Sequence, residues 1–136
     1  MPDSVRRTRT DLVKQIVELD KDDKAGLKTK YDFLTAMDKL SDIRPPRTRE
    51  PAKIKAFGVE CLAKVVAIEK QYPVTGQSRQ KLLSMKAMYT FYSGDLPGAR
   101  KTLEQGIAID DKSEIAQSMK RSLAYVTKRL AAEKPK

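Results

Sequence analysis

The residues able to do chemistry are few and badly placed for it. Two adjacent carboxylate pairs, Asp22-Asp23 and Asp110-Asp111, could in principle share a proton as an acid/base couple. Each pair falls just before a stretch of helical periodicity, where acidic side chains favour exposed backbone amides and the positive end of the helix dipole. No base accompanies either pair, so capping is the expected role. Cys61 is the only cysteine. It sits among apolar residues at helical spacing and is expected to behave as a small core hydrophobe.

The chain holds no histidine, the usual general base and commonest metal ligand. With Cys61 as the only soft ligand, a structural zinc site is not expected. No glycine-rich phosphate loop, serine–base set or calcium-loop spacing occurs either. The expectation is a protein that is not an enzyme and carries no metal and no cofactor, with no small-molecule substrate.

What remains is charge. The 136 residues carry 28 Lys and Arg against 18 Asp and Glu, a net charge of +10. Residues 1–50 are nearly balanced, so the excess belongs to residues 51–136. A basic surface of this kind points to an acidic partner. The candidate partner-binding residues form two groups, Arg44, Arg47 and Arg49 in a proline-containing linker, and Lys120, Arg121, Lys128 and Arg129 near the C-terminal end. Arg121 and Lys128, seven apart, share the side of a helix opposite its apolar stripe.

The elements that must position these residues are helices. A chain of this length forms one domain without needing disulfides or metal. The expected architecture is all-α, five to six antiparallel amphipathic helices in a bundle or short array, a single domain over residues 1–136 that includes a flexible arm at 1–9. Thr10 caps a first helix with Leu12, Val13, Ile16, Val17 and Leu19 buried. After Asp22 or Asp23 the helix restarts, with Gly26 in its first turn and Leu27, Tyr31, Leu34, Met37 and Leu40 on one face. The Pro/Arg-rich linker 42–50 ends it, since Pro45-Pro46 forbids helix.

Pro51 opens a third helix, with Thr48 or Glu50 near its cap and a stripe of Ile54, Phe57, Cys61, Leu62, Val65 and Ile68. Tyr72-Pro73 stops it. A fourth carries Leu82, Met85, Met88, Tyr89 and Tyr92 on one face. Ser93-Gly94-Asp95 forms a tight junction, with Gly94 left-handed and Asp95 capping a fifth helix that buries Leu96, Ala99, Leu103, Gly106 and Ile107. Asp111 and Glu114 fit a capping box for a sixth helix, which buries Ile115, Met119, Leu123, Val126 and Leu130. The tail 133–136 is polar. No run of apolar residues is long enough to cross a membrane, and no secretory segment follows Met1. A soluble protein is expected, and a mature organellar protein with its targeting segment removed is one location that fits.

Residues 83–110, within a unit of about 80–113, resemble a tetratricopeptide (TPR) repeat, two antiparallel helices joined by a tight turn in about thirty-four residues. Ala99 takes the small position of the second helix and Ala87 that of the first. Gly94-Asp95 falls on the turn, Leu103 on the bulky position and Gly106 on the second small one, with Ile107, Ile109 and Asp110 closing the unit. The chain departs from the pattern at Thr90, where an aromatic is usual, and at Asp111, which replaces the closing proline. No second unit lies upstream. The resemblance implies a short TPR-like array, a hairpin followed by a terminal helix over 80–132, with a concave side that a peptide or subunit could fill. In composition alone, the chain is also similar to PsbQ-like extrinsic subunits of photosystem II.

The leading expectation is therefore a protein–protein interaction module or small structural subunit for an acidic partner. The alternatives are a basic extrinsic subunit of a large membrane complex, photosynthetic or respiratory, and a non-specific RNA- or DNA-binding or ribosome-associated protein.

Overall fold

The structure, a computed structural model, describes residues 27–133. The expected arm, the Thr10 helix, the Asp22-Asp23 break, Gly26 and the tail beyond Glu133 lie outside the described residues. Those described are all helical apart from turns and linkers, with no strand. The chain divides into two compact units, Met1–Asp42 and Ile43–Lys136.

In the first unit, α1 spans Leu27–Ser41. Its fully buried residues are Phe33, Met37 and Leu40, four and three apart. Tyr31 and Leu34, expected on the core side, are only half-buried, and Phe33 takes the deepest place instead. The helix ends as Asp42 N–H bonds the Asp38 carbonyl, just before Pro45-Pro46.

The second unit begins with an exposed extended segment in which Glu50 N–H donates to Thr48 Oγ1 at 3.1 Å. Helix α2, Pro51–Gln71, starts with proline where the helix has no use for its missing N–H. Glu50 is the N-cap residue, although its side chain makes no capping bond. Only Gly58, Cys61 and Val65 of α2 are fully buried, so its stripe is narrower than the periodicity suggests. Ile54, Phe57, Leu62 and Ile68 form half-buried margins.

Helix α3, Gly76–Tyr92, is the centre of the unit. It packs against α2 on one side and, on the other, against α4, Leu96–Ile109. Burial of Gln80, Leu82, Leu83, Ala87, Tyr89 and Thr90 on two flanks follows from that position. One consequence corrects the expected core. Met88 is 42% exposed, because the partners of α3 cover other faces.

The α3–α4 turn forms as its residues dictate. Gly94 adopts a φ of 91°, a left-handed conformation that side chains resist. Asp95 then accepts from Gly98 N–H at 3.0 Å, capping α4. Helix α5, Glu114–Glu133, packs on α4 and also touches α3. Its cap differs from the expected Asp111–Glu114 box. Ser113 Oγ accepts from Ala116 N–H at 3.0 Å, while Asp110 Oδ1 accepts from Lys112 N–H in the preceding turn. The nearer hydroxyl has displaced the more distant carboxylate. On α5 the fully buried residues are Ala116, Met119 and Val126, with Ile115, Leu123 and Leu130 half-buried.

Candidate binding groove

Helices α3 and α5 both lean on α4, leaving a groove of about 360 Å³ between them. Ser84, Met88, Phe91 and Tyr92 of α3 form one wall. Arg121, Ser122, Tyr125 and Val126 of α5 form the other. Ala87, Ala99 and Leu103 lie between these walls. The alanines leave room there, and both are buried, at 2% and 0% exposure. Three large hydrophobic side chains are the most exposed among the described residues, and two of them, Met88 and Tyr125, line this groove.

Two of the lining rings meet across the groove, with a guanidinium against both. The rings of Phe91 and Tyr125 are 5.8 Å apart, and the Arg129 guanidinium lies 5.5 Å from the centre of Phe91 and 6.0 Å from that of Tyr125. Arg129 also pairs with Glu133 at 3.6 Å. Arg121 lines the groove and makes no ion pair among the described residues.

The seven basic residues singled out from the sequence are all exposed, but they do not form one patch. Arg44, Arg47 and Arg49 occupy the extended segment before α2, and none lines the groove. Lys120 and Arg121 diverge by about 100° around α5. The Lys120 ammonium turns back to the Asp111 carbonyl at 2.8 Å and helps close the α4–α5 turn. Lys128 makes no ion pair among the described residues, on the same side of α5 as Arg121. Of the seven, Arg121 alone lines the groove, and Arg129 lies against two of its rings.

Sequence reasoning assigned Met88 to the core and overlooked Phe91 and Tyr125. The available signal was the spacing Arg121, Tyr125, Arg129, a single row of α5 at four-residue steps.

A buried polar cluster sets the position of α3 against the α4–α5 turn. Gln80, with no exposed surface, donates from Nε2 to the carbonyls of Gly106 at 3.0 Å and Asp110 at 2.8 Å. Its Oε1 accepts from Ser113 Oγ at 2.7 Å. Lys86 and Arg79 on α3 meet Glu69 on α2 at 2.9 and 3.6 Å, tying the other side of α3.

The remaining ionisable residues of interest belong to the core. Burial, with a smaller push from the Glu60 carboxylate, raises the Cys61 thiol above its ordinary pKa, and burial likewise raises the Tyr89 phenol. A thiol held in its protonated form is a poor nucleophile. Among the described residues no group of three or more His, Cys, Asp or Glu could hold a metal, and no helix is long and apolar enough to cross a membrane. Compared with known proteins, the chain matches no family model, no curated protein and no solved structure.

Proposed function

We propose that this chain is a non-catalytic protein–protein interaction module, or a small structural subunit, whose Ile43–Lys136 unit docks on an acidic protein surface. The observation that carries the reading is the groove between α3 and α5. Exposed apolar side chains, Met88 and Tyr125, stand there beside Arg121, a cation with no ion pair among the described residues. Apolar surface supplies contact energy, while positive charge speeds encounter and selects acidic partners. The excess of Lys and Arg over residues 51–136 acts in the same direction.

The close approach of the helices favours a TPR-like hairpin of α3 and α4 followed by α5 as its terminal helix. A side chain at Gly106 would run into the Met119 terminal methyl, so this small residue lets α4 and α5 meet. Ala87 and Ala99 are buried as that resemblance asks.

Gentle isolation from the source organism, with nuclease treatment and mass spectrometry of what co-purifies, tests the reading. A protein partner that dissociates as salt rises is the expected result. A lone monomer contradicts it. Retention of nucleic acid at low salt, with affinity falling steeply as salt rises, would replace it with the nucleic-acid alternative.

A further inference from the structure

We infer that the groove between α3 and α5 receives an acidic peptide segment bearing one bulky apolar side chain, with a neighbouring Asp or Glu paired to Arg121. The inference rests on the protein-binding reading above and names the partner's chemistry. The groove interior offers Ala87, Ala99, Leu103 and Val126, so whatever enters must leave water without needing hydrogen bonds there. A leucine or aromatic side chain meets that condition. A nucleobase meets it less well, because the four interior side chains offer its polar edges no hydrogen-bond partner, and an unpaired buried polar group is costly. A volume of about 360 Å³ lies near the small end of ligand pockets, a fit for side chains of a docked chain.

Charge supplies the second half of the match. Arg129 is already held by Phe91, Tyr125 and Glu133. Arg121 lines the same groove with its guanidinium unpaired among the described residues. A guanidinium beside a partly dry apolar surface binds carboxylate in two-pronged fashion, more strongly than in open water. Lys128, two turns along the same side of α5, extends the positive edge and selects for further acids in the segment.

The test uses the full chain as bait for a random peptide library displayed on phage, followed by fluorescence anisotropy with the selected peptides. Selected sequences should share a Leu, Ile, Phe or Trp with Asp or Glu close by. Arg121→Glu should weaken these peptides by about tenfold or more, whereas Lys101→Glu, the same charge change outside the groove, should change affinity less than about threefold. Ser122→Trp, placed at an exposed position so that the fold tolerates it, should block the groove and abolish binding without lowering the thermal midpoint. Acidic peptides that bind Ser122→Trp undiminished would overturn the groove assignment and leave the acidic-partner reading standing. Recovery of no peptides, recovery of neutral ones, or displacement of selected peptides by an oligothymidylate would overturn the inference itself.

Discussion

Replacing Gln80 with leucine removes the polar cluster that holds α3 to the α4–α5 turn, and with it the register of the two groove walls. The native amide makes three hydrogen bonds from a fully buried position, to Gly106, Asp110 and Ser113. Each contributes about 1 kcal/mol net, and the Gly106 carbonyl, in buried surroundings, loses a donor at a further cost of about 1 kcal/mol. Leucine returns about 1 kcal/mol through its apolar surface. The variant should therefore be destabilised by about 3 kcal/mol, a large share of a stability of about 5–15 kcal/mol. In urea, with a slope of about 1.5 kcal/mol per molar, the midpoint should fall by about 2 M at unchanged slope. Ser113→Ala loses the Gln80 bond and the α5 cap together. The double variant should fall short of additivity by about 1 kcal/mol, because both changes break the same bond. A midpoint shift under about 0.3 M for Gln80→Leu would refute the role given to this cluster, since it corresponds to less than about 0.5 kcal/mol.

Gly58→Ala should destabilise by about 2–3 kcal/mol in the same assay, because the added carbon would lie 2.5 Å from Ser93 N and 2.7 Å from the Tyr92 carbonyl carbon, backbone that cannot step aside. Gly106→Ala should cost less, since its main obstacle is the flexible end of Met119; equal losses would contradict this contrast. Asp95→Ala should cost about 1 kcal/mol by uncapping α4, with Asp95→Asn retaining most of it. Cys61 should resist alkylation at neutral pH until the chain is unfolded. Its folded pKa and that of Tyr89 are raised, so their contribution to stability is full below the unfolded thiol value of about 8.5 and declines as pH climbs through the folded values. Urea midpoints across neutral and alkaline pH check this, and a rise in stability above pH about 9 would contradict it.

Helix boundaries were legible wherever a single residue type imposes them locally. Pro51, Pro73, Gly94 and Asp95 start, stop and turn the chain as their backbone chemistry requires. Depth of burial was less legible, because periodicity identifies one apolar face while α3 contacts neighbours on two. Periodicity therefore puts Met88 in the core, and Gln80, the most buried polar side chain among the described residues, carries no apolar signal. Gly58 gives no local signal inside a helix pattern, because its close contact with the α3 terminus depends on packing. The α5 cap moved to Ser113 because two acceptors compete within three residues, and tertiary contact with Gln80 favours the hydroxyl. Of the basic residues, sequence spacing located Arg121 but could not show that Lys120 closes a turn and Arg129 stacks on rings.

The most direct measurement is site-specific photo-cross-linking from the groove in the source organism. Benzoylphenylalanine replaces Met88, which is 42% exposed at the wall, and in a parallel strain it replaces the exposed Lys101 on α4. A covalent adduct is expected at position 88 with one protein, mapped by mass spectrometry to an acidic segment containing a bulky apolar residue, and little or none at position 101. Equal adducts from both positions, an adduct with nucleic acid, or none from position 88 would contradict it.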